Sequence, residues 1–125
     1  MPIRENNKTD NFKEIGIRLD SIMTGGILGN PVLKEIAHRK VPLTHKKAER
    51  VGKAVTDAVK AALEPGAVVR VSFDSVPEIH LASEVCQHIL PKFETLNPVE
   101  VQDQGAHFEL GNGSAIFLSP KLKGD

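Results

Sequence analysis

His80, Glu84 and His88 recur at intervals of four, the spacing that sets imidazole, carboxylate and imidazole on one face of a helix. These are zinc-ligand types. Neighbours four apart lie about 6 Å apart along the axis and the outer two about 12 Å, so a single ion would need another ligand, such as His107. A second chemistry would take Ser75 or Ser83 as nucleophile, a histidine as base and an acid to orient it, although no Gly-x-Ser-x-Gly elbow frames either serine. Cys86 falls on the apolar side of the same helix, where a thiolate is disfavoured; as the only cysteine it makes no internal disulfide. Against these stands a plainer account: a solvated helix face beside a turn whose short side chains, Asp74 and Ser75, bond the local backbone. The spacing favours a chain with no catalytic centre, no metal and no cofactor.

Two glycine clusters invite a phosphate-binding interpretation. GGILGN precedes a helix start with its free amides, but it lacks the GxxxxGK[ST] pattern and follows no clear strand. A structural turn accounts for it. GNGS, between HFEL (107–110) and AIFL (115–118), reads as the tight turn of a β-hairpin. Lys46, Lys47, Arg50 and Lys53 make the start of a long helix the most basic surface, open to nucleic-acid contact or to an acidic protein; Glu49, Asp57 and Glu64 are placed to pair with them.

The elements that position these groups follow from apolar spacing. Residues 1–10 carry nothing to bury and read as a mobile arm ahead of one domain over 11–123. Phe12, Ile15, Leu19, Ile22 and Met23 have helical spacing, while Ile15, Ile17 and Leu19 alternate as in a strand; helix accounts for more of them, with Gly25 and Gly26 as its stop. Asn30 and Pro31 start a short helix with Val32, Leu33 and Ile36 on its apolar face. Thr44 caps a helix over 45–63, and Pro65 and Gly66 end it. AVVRVSF (67–73) has the composition and length of a buried strand, and a helix over 79–90 follows with Leu81, Val85, Cys86, Ile89 and Leu90 inward. VEVQ then completes a parallel β-α-β crossover. The expected fold class is α/β: a mixed sheet of about four strands, with a parallel β-α-β unit and a C-terminal antiparallel hairpin, covered by helices.

Bulk composition narrows the partners. Sixteen basic and sixteen acidic residues in 125 cancel, so no global field draws the chain to nucleic acid or an anionic membrane. Tyr and Trp are absent, and the five phenylalanines, Phe12, Phe73, Phe93, Phe108 and Phe117, fall in apolar patterns and are assigned to the core. That leaves no platform for stacking bases. A single cysteine, no signal-peptide core and no long apolar run suit a soluble protein of the reducing cytosol.

The stretch from about 42 to 93, with LTHKKAERVGKAV and then VRVSFDSVPEIHLASEV, resembles the STAS-like domain: helix, strand, Asp, a small residue, Val, helix. The resemblance implies a non-enzymatic cytoplasmic module that regulates or binds another protein. In the antagonist branch of that family a serine at the helix start is the phosphorylated switch. Aligning Val76-Pro77 with that branch's Val-Pro puts His80 at the family's Asp and Leu81 and Ala82 at its serine pair, so the switch is missing here. The expected contact surface is the polar rim Asp74, Ser75, His80, Ser83 and Glu84 at the end of a strand, where open α/β sheets favour ligands. An exposed strand edge could also pair with a second copy.

Overall fold

The computed structural model describes residues 14–39, 43–93, 99–102 and 106–121, so the expected arm over 1–10 and Phe12 lie outside the described residues. The first described element is a helix, α1, seen over 14–22. Ile15, Leu19 and Met23 are buried while Ile17 is 68% exposed, which decides for the helix, since strand alternation would bury all three of Ile15, Ile17 and Leu19. A 3-10 turn, Ile27–Gly29, leads into α2 (Pro31–Arg39). The Asn30 carboxamide oxygen accepts from the amides of Val32 and Leu33 at 3.0 and 3.2 Å, as an N-cap does. Leu33, Ile36 and Ala37 form the buried face, and Val32, expected there, is exposed.

Next comes α3 (His45–Ala61), capped by the Thr44 hydroxyl, which accepts from the Lys47 amide at 3.1 Å. It buries Ala48, Val51, Val55, Ala58 and Val59 as one stripe. Then follow β1 (Val68–Phe73) and α4 (Val76–Ile89), which starts three residues earlier than the spacing suggests because Pro77 fits its first turn. Leu90–Lys92 continues α4 as a 3-10 turn around Pro91. Arg18 crosses from α1 to this point, its guanidinium 4.9 Å from the Phe93 ring and 3.3 Å from the Lys92 carbonyl.

The sheet is completed by β2 (Val99–Gln102), β3 (Ala106–Glu109) and β4 (Ala115–Pro120), in the order β1-β4-β3-β2. β3 and β4 form the antiparallel hairpin, and β2 pairs antiparallel with β3. The parallel partner of β1 is β4, with Val68 opposite Ala115 and Phe73 opposite Pro120. That corrects the expected β-α-β unit: β2 lies at the far edge, and the hairpin occupies the two places between. The more apolar hairpin strands take the centre and the polar VEVQ an edge. β1 is likewise an edge strand and not a buried one. Val69, Val71 and Phe73 turn toward the core while Val68, Arg70 and Ser72 are exposed.

Phe73, Phe108, Ile116 and Leu118 join residues of all four helices in the core. The hairpin turn ties sheet to helix. The Asn112 side-chain amide donates to the Ala62 carbonyl at 2.8 Å, the Ser114 hydroxyl lies 2.8 Å from the same carbonyl, and the Asn112 oxygen accepts from the Ser114 amide at 3.1 Å. GNGS is thus both a turn and the cap for the carbonyls that α3 leaves free at its C-terminus. Asn112→Ala, which strips donor and acceptor together at a partly buried site, should cost about 1–3 kcal/mol in urea unfolding, and a loss below about 0.5 kcal/mol would show the cap to be dispensable.

Candidate functional site

The strand-to-helix junction assembles part of the expected rim. Asp74, exposed just past β1, faces Lys121 beyond β4 at 3.4 Å. Val76, 55% exposed, and His80 continue the surface onto the first turns of α4. Glu84 is half-buried. Ser83 departs from expectation: it is 8% exposed, inside the helix interface, and accepts from the Gln87 side-chain amide at 3.1 Å. The residue sits between Ala82 and Val85, both fully buried, so the inward arc of α4 is wider than its apolar spacing indicates.

Ser75 is the N-cap of α4, yet its hydroxyl donates to the Glu78 carboxylate at 2.7 Å and makes no cap bond to the backbone. Glu78 is 2% exposed, the one buried carboxylate among the described residues. SVPE carries the Ser-x-x-Glu pattern of a capping box, but here the two side chains bond each other directly in place of the two reciprocal backbone bonds of that box. Both hydroxyls considered as nucleophiles are therefore engaged, one by a carboxylate and one by an amide.

His80, Glu84 and His88 do share one side of α4, but His107 lies on β3 beside buried Phe108, on the sheet face turned away from the helices. The sheet stands between His107 and α4. Among the described residues no three His, Cys, Asp or Glu side chains converge as metal ligands. Cys86 is fully buried.

His107 belongs to a row that apolar patterning hides. Its imidazole stacks on Phe117 at 4.1 Å between centroids, and the Arg70 guanidinium sits 4.8 Å from the same ring. Register places the three opposite one another on β3, β4 and β1. Phe117 is therefore a half-exposed residue of the outer face, which corrects its expected place in the core. Only strand pairing reveals the row, because its members are far apart in the chain.

The GGILGN segment already has its anion. The Glu49 carboxylate accepts from the Leu28 amide at 2.9 Å and lies so close to Gly26 that a Cβ there would fall 1.8 Å from its Oε2. Gly26 itself has φ 78° and ψ −173°, a conformation essentially limited to glycine. Gly52 lets α3 approach the turn, with Ile27 3.0 Å from where its Cβ would be. A cleft of about 250 Å³ opens alongside, walled by Asp20, Glu49, Lys53 and Asp57, with Asp20 paired to Lys60.

No family model, no curated protein and no solved structure matches the chain. No helix among the described residues is long and apolar enough to cross a membrane.

Two outcomes follow from this geometry. Gly26→Ala should cost about 1–3 kcal/mol from backbone strain, with the clash on Glu49 added, and a circular-dichroism melt matching the parent would contradict the tight approach. Burial, helped by the charge of Lys92, holds the His88 imidazole below its ordinary value of 6.5. The unfolded chain then takes the proton more readily. This contribution to stability is complete above 6.5 and is lost as pH falls from there through the lower folded value. The urea midpoint of the parent should therefore drop more than that of His88→Gln over this interval; parallel curves would remove His88 from the account.

Proposed function

We propose that this chain is a small non-enzymatic regulatory module of the cytoplasm that acts by contact with another protein, through the end of the sheet where β1 stops and α4 begins. The observation that carries the reading is the exposed group Asp74, Val76 and His80 on a rigid helix start, an apolar side chain flanked by an acid and an imidazole. Interfaces are built this way, around a desolvated apolar centre with a polar rim. The resemblance to STAS-like domains over 42–93 supports it, since the order helix, strand, Asp74, Ser75, Val76, helix is the order those modules share. Leu81 and Ala82, at the places of the serine pair, are fully buried and carry no hydroxyl, so contact here is not gated by phosphate at those positions. β1, paired on one side only among the described residues, offers an edge at which a second copy could add.

Quantitative affinity capture from the native host tests the site. Val76→Glu with His80→Glu should fold as the parent does and lose specific proteins that the parent enriches, while Val32→Glu on α2 should retain them. Identical capture by all three chains would dispose of the site.

A further inference from the structure

Lys46, Lys47, Arg50 and Lys53 are all exposed in the first half of α3, and among the described residues none of them makes an ion pair. Lys46, Arg50 and Lys53 follow at intervals of four and three, so they share one stripe about 10 Å long, and Lys47 stands beside Arg50 one turn on. Sequence spacing offers this stripe two close counter-charges, Glu49 and, four residues beyond Lys53, Asp57. The Glu49 carboxylate is turned to the Leu28 amide and the Gly26 backbone, and among the described residues Asp57 makes no ion pair with Lys53. The first turn of α3 holds no acid, so the helix dipole adds to the lysines instead of offsetting them. Further along, Asp57 and the Lys60–Asp20 pair confine the excess charge to the first half of the helix.

Four exposed cations that make no ion pair among the described residues, gathered on the first half of one helix, attract an anion. We propose that this stripe docks the phosphate backbone of double-stranded nucleic acid. A duplex presents regularly spaced anions along a stiff edge, which a straight helix can follow. The stripe has no aromatic side chain to stack on bases, and the large apolar side chains exposed among the described residues, Ile17, Val32, Val68 and Val76, all lie off α3, so it has none to sink into a lipid surface. Contact is thus to backbone, independent of base sequence. Because the chain as a whole is neutral, attraction is local and sharply salt-dependent. This surface is separate from the protein contact proposed above and does not depend on it.

The test is fluorescence anisotropy of a labelled duplex DNA with the full chain at low salt. Four phosphate contacts give a slope of log K on log salt of about −3.6, and each Lys→Gln or Arg→Gln change should flatten it by about 0.9. The quadruple variant Lys46→Gln, Lys47→Gln, Arg50→Gln, Lys53→Gln should lose at least about tenfold in affinity with an unchanged circular-dichroism spectrum. Arg50→Gln with Lys53→Gln, read through the slope alone, serves if the quadruple chain does not fold. Absence of binding by the parent, or equal binding by the variants, overturns the proposal. So does stripe-dependent binding of polyglutamate or phosphatidylserine vesicles that is tighter than that of the duplex, which would assign the stripe to an acidic protein or to a membrane.

Discussion

The Ala62 carbonyl, received by Asn112 and Ser114, is the point on which the arrangement of layers depends. A helix leaves its last carbonyls unsatisfied, and burying one without a donor costs about as much as a lost hydrogen bond. The hairpin turn supplies the donors, which brings the start of β4 to the end of α3. From there the Ala115 amide bonds the Ala67 carbonyl, and β1 and β4 leave side by side and parallel. β2 is thereby displaced to the far edge. The end of β1, the start of α4 and Lys121 then meet at the opposite end of the sheet, where the exposed rim forms.

Glu49 fixes the other half of α3. Its carboxylate does for the GGILGN turn what a bound phosphate would do for a phosphate loop, satisfying an amide at the start of a turn with a negative charge. Gly26 and Gly52 are needed because carboxylate and helix come too close to the turn for a Cβ at either position. One residue therefore has two effects. It holds the N-terminal helices on α3, and by facing inward it leaves the outer surface of α3 more positive than charge counting along the helix suggests.

The sheet shows a similar division between pattern and pairing. Alternation along β3 and β4 marks Phe108, Ile116 and Leu118 as inward, and the core holds them. Strand pairing sets Phe117, expected in the core, and His107 on the outer face, where Arg70 from β1 completes a stack across three strands. Cross-strand rows of this kind stabilise a sheet face that no buried side chain can reach.

Local signals in the sequence marked α2, α3, most of α4, the hairpin and most core positions, through apolar spacing, caps at Asn30 and Thr44, and the GNGS turn, while the choice of helix over strand for α1 came from the exposure of Ile17. The sequence also set the inward line of Leu81, Val85, Cys86 and Ile89 on α4, and hence the outward place of His80. Tertiary structure alone decided which strand β1 pairs with, that Ser83 and Glu78 are buried, that His107 is parted from the α4 histidines, and that Glu49 faces a backbone amide. Each of these rests on contacts between residues distant in the chain, or on how far a neighbouring layer overlaps one helix face. Spacing along a single element carries no information about either.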